Sequence, residues 1–233
     1  MKRTFLIAVA VAAALAGQAQ ASISVNSSIG GAPIGSSKVN FDSLPLGSAG
    51  GTQDGVTVAL TPNAMVVNGN LANFYAAPFL SGGNGLGFGP GGTNQPNGLD
   101  TTNYITTGSA GAVANAGVTI ILPAIEKYLG LLWGSVDAYN TVRFYDGESL
   151  VGTVTGADVK GQPNGDRNVN GTVYVNLNST LGFNRVVLTS SEYALEFDNL
   201  AYNKTNVGVP EPATLALAGL GLLGLGIARR RGK

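Results

Sequence analysis

The chain has 233 residues, of which 11% are charged and 35 are glycine, with a formal net charge of zero; an ordinary soluble domain carries about 25% charged residues. It contains neither cysteine nor histidine, which excludes disulfides, thiolate or imidazole metal sites, and Ser-His-Asp or Cys-His catalysis. Between residues 22 and 208 seven Lys/Arg stand against twelve Asp/Glu, a net charge of −5, so the basic footprint of a nucleic-acid binder is missing.

In chain order, Met1-Lys2-Arg3 and the apolar run 5–16 have the basic and hydrophobic regions of a secretory signal. Ala19 and Ala21 flank Gln20 in the small-x-small pattern of a cleavage site, which predicts a signal peptide over residues 1–21 and a mature chain from Ser22. The alternative, an uncleaved anchor, is disfavoured because the apolar run is short and leads straight into that site. Residues 22–36 are small and polar and are read as a loosely held strand or arm.

Lys38-Val-Asn-Phe-Asp42 alternates and breaks at Leu44-Pro45, and Val56-Thr-Val-Ala-Leu60 and Ala64-Met-Val-Val67 are short strands divided by the turn pair Pro62-Asn63. Residues 73–78 are another extended piece. Residues 81–98 are rich in Gly, Asn and Pro. They lack the Lys-Ser/Thr of a phosphate-binding loop and follow no clear strand, so a long surface loop is expected.

Val118-Thr-Ile-Ile-Leu-Pro123 and Tyr128-Leu-Gly-Leu-Leu-Trp133 are the densest apolar runs and predict two buried strands. Asn140-Thr-Val-Arg-Phe-Tyr145, Asp146-Gly147 and Ser149-Leu-Val-Gly-Thr-Val-Thr155 predict a hairpin, because Asp-Gly supplies the positive φ values of a tight turn. Strands at 173–177, 183–188 and 193–202 complete the set. The pattern predicts an all-β body over 22–202, a β-sandwich of jelly-roll type, followed by a linker at 203–208.

Three groups of residues are candidate sites. Phe-Asp recurs at Phe41-Asp42 and Phe197-Asp198. If the first and last strands lie side by side, as in many jelly-roll carbohydrate-binding modules, Asp42, Asp198 and Asn199 offer oxygens to a structural Ca²⁺, which takes about six to eight. The plainer reading is a pair of exposed strand-end aspartates beside core phenylalanines; no other cofactor is expected. Glu192, Glu196 and Asp198 fall on one face of a strand, a spacing compatible with paired glycosidase carboxylates but common to any solvated strand face. Trp133, Tyr139 and Tyr145 are candidates for stacking on sugars, with core packing the stronger reading for Trp133 and residues 134–140 a polar rim.

The tail joins Val209-Pro210-Glu211-Pro212, an uncharged Ala/Leu/Gly span at 213–228 and Arg229-Arg230-Arg231. As a helix the span is about 24 Å long, slightly short of a ~30 Å hydrocarbon core, and the arginines predict a cytoplasmic C-terminus. A buried core helix is the alternative. Pro-Glu-Pro, apolar span and basic cluster in this order, over 209–233, resemble the PEP-CTERM sorting signal of Gram-negative bacteria. The resemblance implies recognition by an exosortase that cuts near Pro210–Pro212. It also implies a precursor held in the inner membrane and a final place at the cell surface or in the extracellular matrix.

The body is similar to a group of such surface proteins at Phe41-Asp42-Ser43-Leu44, Leu129 through Asn140 and Phe197-Asp198-Asn199-Leu200, which implies a surface β-domain without an established activity. The expectation is a non-enzymatic surface or matrix protein with no catalytic residues. The alternative is a carbohydrate-binding module of an exopolysaccharide or biofilm matrix. A glycan-active enzyme stands third.

Overall fold

The computed structural model describes residues 22–27, 30–89, 92–111 and 116–208. The predicted signal peptide with Ala19 and Ala21, and the tail from Val209 through Pro212, the span 213–228 and Arg229, Arg230 and Arg231, lie outside the described residues. Among the described residues no helix is long and apolar enough to cross a membrane.

The described chain is mostly β, and its strand pairs are antiparallel. Its strands are β1 (Ile23–Ser27), β2 (Ser37–Val39), β3 (Gly50–Gln53), β4 (Val56–Leu60), β5 (Met65–Val67), β6 (Phe79–Leu80), β7 (Gly98–Leu99), β8 (Tyr104–Thr106), β9 (Ala116–Gly134), β10 (Asn140–Asp146), β11 (Ser149–Thr155), β12 (Val173–Ser190) and β13 (Glu196–Asn203), with a 3₁₀ turn at Gly82–Asn84 and one α-helical turn, α1 (Gly156–Val159). Eleven strands form a sheet whose main path is β11-β10-β12-β9-β13-β8-β5. Onto it β1 adds at β12, β2 at β13 and the β3–β4 pair at β9, while β6 and β7 pair apart. The path is open and does not close into a barrel.

The predicted hairpin is present: β10 and β11 pair around Gly147, whose φ is 57°, and the Arg185 guanidinium lies 4.3 Å from the Tyr145 ring centre while bonding the Gly147 carbonyl and Glu148. Tyr145 is therefore engaged by Arg185. The two strands expected on either side of Pro123 are instead one, the 19-residue β9, and those expected at 173–177 and 183–188 are the 18-residue β12. Pro123 does not interrupt β9 because it falls between the pairs Arg185↔Ile121 and Phe183↔Glu126, where the register shifts. A proline's missing N–H is tolerated at such a bulge.

The shift also turns the strand over. Inward residues are even-numbered before it (Val118, Ile120, Leu122) and odd-numbered after it (Leu129, Leu131, Trp133), and all six lie in one core with Val175, Leu177, Val186 and Leu188 of β12. A register slip of one residue exchanges the faces of a strand, and here the bulge lets both halves of β9 address the same core. Beyond it β9 is buried on both faces. Tyr128 and Leu132 look outward into a second apolar layer with Leu80, Tyr174 and Ala201. That layer is covered by the chain before β2 and by residues near Leu80, which explains the unbroken apolar run Tyr128–Trp133.

Of the N-terminal residues expected to be a loosely held strand or arm, Ile23–Ser27 form the strand β1, in register with β12 from Ile23↔Ser179 to Ser27↔Val175.

Candidate functional site

Two polar sites flank β13, on the face turned away from the main core. The first is an open cleft of about 220 Å³ whose lining includes Phe74, Tyr75, Ser135, Asp137, Tyr139, Asn164, Arg167, Tyr193 and Glu196. Its floor is Glu196, the first residue of β13 and 1% exposed. The Ala76 amide donates to Glu196 Oε1 at 3.0 Å, and the Ser135 hydroxyl donates to Oε2. Burial is the largest influence on this carboxyl and pushes its pKa up to about 7; the Ser135 and Ala76 hydrogen bonds oppose it, and the Asp137 charge adds to it. Close to neutrality, then, Glu196 is divided between carboxylate and neutral acid, and the neutral form can donate as well as accept.

Asp137 reaches the cleft from the loop between β9 and β10. Ser135, at φ 40°, turns the chain out of β9, and the Asn140 side chain then closes the loop by accepting from the Asp137 amide at 3.1 Å. The Tyr139 hydroxyl donates to Asp137 Oδ2 at 2.7 Å. Burial raises the Asp137 pKa, and the Tyr139 hydrogen bond opposes that rise. Behind the carboxylate the chain passes so close that a Cβ on Gly165, at φ 61°, would sit 2.7 Å from Asp137 Oδ2. Phe74 and Tyr193, 36% and 50% exposed, present aromatic rings at the mouth.

The second site lies beside the bulge in β13. The strand leading to Phe41-Asp42 does lie beside the last one, since β2 pairs with β13 at Val39↔Leu200 and the Phe41 and Phe197 rings meet edge to face at 5.8 Å, while the first strand, β1, pairs with β12 instead. Asp42 and Asn199, offered as Ca²⁺ ligands, are occupied by the protein itself. Asp42 Oδ2 accepts from Asn40 at 2.6 Å and Oδ1 from the Asn103 amide at 3.1 Å. Asn199, at φ 55°, accepts from the Phe88 amide and donates to Asp198 Oδ2 at 2.6 Å. Asp198 is wholly buried, and its carboxyl is held well above the usual range by burial first and then by the nearby Asp100 and Asp42 charges. Asp198 is thus no exposed strand-end residue.

Some sequence expectations fail here for identifiable reasons. Glu192 does not share a strand face with Glu196 and Asp198, because β13 begins only at Glu196 and Glu192 is exposed in the preceding bend. Trp133 is completely buried in the main core and is not a stacking surface. Tyr139 and the 134–140 rim do line the cleft. Phe74, Tyr193 and Arg167 carried no local signal, because they come from three separate segments. Asp100 did carry one: Asp100-Thr-Thr102 is an Asx-turn sequence, and the Thr102 amide donates to Asp100 Oδ1 at 2.9 Å.

An all-β body followed by a Pro-Glu-Pro, apolar and basic tail defines the class as an exported protein with a C-terminal sorting signal. The PEP-CTERM protein-sorting motif matches residues 208–231, which include every tail residue singled out from Val209 to Arg231. The chain therefore carries an exosortase-dependent sorting signal. No curated protein matches it.

Proposed function

We propose that this is a non-enzymatic surface or extracellular-matrix protein. Its body is a β-sandwich of jelly-roll kind, delivered by a signal peptide and an inner-membrane precursor and released or re-anchored by an exosortase. The sorting motif at 208–231 supports the route. The destination and the absence of turnover are our reading of a body without histidine or cysteine.

The cleft favours a more specific role, binding of a hydroxylated glycan such as exopolysaccharide. The observation that carries it is the combination of exposed Phe74 and Tyr193 rings with Asp137, Asn164, Arg167 and Glu196 in one open depression. Aromatic faces take the apolar side of a sugar ring, while planar polar side chains take its hydroxyls. A neutral Glu196 adds a donor that a carboxylate lacks.

The test is a glycan array probed with the processed protein, alongside Tyr193→Ala and Asp137→Asn. Binding of a saccharide class that both substitutions weaken at least tenfold supports the cleft. Binding that both leave unchanged places the ligand elsewhere, and no binding to host exopolysaccharide removes the glycan role while leaving the sorting route intact.

A further inference from the structure

We infer that the notch between β4 and β13 is a binding site for a small ligand bearing a primary ammonium group, which seats on Glu126. This goes beyond the sorting and glycan readings and depends on neither, because the notch shares no lining residue with the cleft. Along the side of β9 away from β12, β4 pairs as far as Thr57↔Ile121, and β13 takes over at Asn203↔Tyr128. No described strand pairs with residues 122–127 on that side, where Pro123 has no N–H to offer a ladder. The interruption leaves an open hollow of about 460 Å³ bordered by Ser37, Pro123, Ala124, Glu126, Tyr202 and Lys204 among others. Its size is that of a small-molecule site.

Glu126 is 2% exposed, and its Oε2 is buried without a hydrogen-bond partner among the described residues. Burial raises the pKa of this carboxyl, and the charge of Lys204 opposes the rise. Lys204 is nevertheless exposed at the rim and does not pair with it; among the described residues the ion pair within bonding distance is Arg185–Glu148. A carboxylate in this state lacks a donor, and a charged donor relieves it more than a neutral hydroxyl does. The neighbourhood is acidic as well. The Asp54 and Glu126 charges both reach Tyr202, so two carboxylates stand against the ammonium of Lys204. Among the described residues no three Asp, Glu, His or Cys side chains form a group able to hold a metal ion, so the cation the notch suits is an organic one. A primary ammonium is a compact charge with three donors. One serves Glu126, and the others suit the hydroxyl oxygens of Ser37 and Tyr202, which lie within hydrogen-bonding reach of each other.

The experiment is an NMR titration of the processed protein at neutral pH with glucosamine, with cadaverine and, as the blocked counterpart, with N-acetylglucosamine. Expected are saturable shifts of the Ser37, Glu126 and Tyr202 signals with an amine and none with N-acetylglucosamine. A stronger response to glucosamine identifies an amino sugar as the source of the ammonium, and a stronger response to cadaverine identifies a linear amine. Glu126→Gln, which keeps the shape and removes the charge, should weaken binding at least tenfold. Lys204→Met should strengthen it severalfold by removing the competing cation, while Asp146→Asn at the β10–β11 turn should change nothing. Should the buried variant fail to fold, the exposed Lys204 still provides the reading. Absence of a saturable shift with either amine overturns the inference, as does an equal response to N-acetylglucosamine. So does binding that Glu126→Gln leaves unaltered, or that Lys204→Met fails to strengthen.

Discussion

Glu196 shows how one buried carboxyl links the cleft to the stability of the body. Its pKa is about 7 in the folded chain against about 4.3 in an unfolded one. Below the unfolded value both states are protonated and the favourable contribution of the neutral acid is complete. As pH rises from about 4.3 to 7 the unfolded chain gives up its proton first, so this contribution is progressively lost, by at most about 4 kcal/mol. The Gln side chain mimics the neutral acid: its oxygen can accept from Ala76 and its amide can donate to Ser135. Glu196→Gln should therefore flatten the fall in Tm between pH 5 and 7 and melt no lower than the parent at pH 8. A parent whose Tm is level across this range, or a variant that keeps the slope, would show that Glu196 is not the group responsible.

At the scale of elements, β13 and the loops packed beside it hold the sites, and the turn α1 shows how tightly. A Cβ on Gly156 would lie 2.0 Å from the backbone oxygen of Asp137, so the start of α1 sets the height of the loop that carries the cleft carboxylate. Gly156→Ala must move one or the other. A destabilisation of about 1–3 kcal/mol is expected, as for other overpacked sites, together with an altered carboxyl titration of Asp137 by NMR. An unshifted titration with normal stability would mean that the loop yields freely.

What the sequence could disclose divides along the same lines. The Asp146-Gly147 turn and β4 were legible because a hairpin and a short alternating strand are specified by adjacent residues. The continuity of β9 through Pro123 was not, because tolerance of that proline depends on Arg185 and Phe183, some sixty residues away. Likewise Asp42 and Asp198 drew notice through a repeated dipeptide. Asp100, by contrast, was not singled out although its Asx-turn sequence was legible, and the cleft exists only after Phe74, Asp137, Arg167 and Glu196 have been brought together.

For the whole molecule, the predicted processing points can be compared with where the folded body begins and ends. At its start the Ser22 amide donates to the Thr180 hydroxyl at 3.1 Å and the Ser22 carbonyl accepts from the Thr180 amide, so the residue expected to follow signal cleavage is itself tied to β12. At its end residues 203–208 are not a free linker: the Asn178 side chain clasps Val207, accepting from its amide at 2.9 Å and donating to its carbonyl at 3.1 Å, and Val207 packs on the outer apolar layer. The sorting motif starts at residue 208, immediately beyond that clasp. Cuts before Ser22 and near Pro210–Pro212 would thus remove both targeting ends without breaking a described strand. The expected outcome, read by intact mass and fractionation, is a species running from Ser22 to about Pro210–Pro212 outside the inner membrane. Cells lacking the exosortase should instead retain the tail in that membrane. Tryptophan fluorescence of Trp133 should report the same melting transition for both forms, because the described core around it is assembled from residues between Ile23 and Tyr202. An unprocessed tail in both strains would make this a single-span membrane protein and remove the matrix role. A processed form melting well below its precursor would instead mean that the tail contributes to the fold.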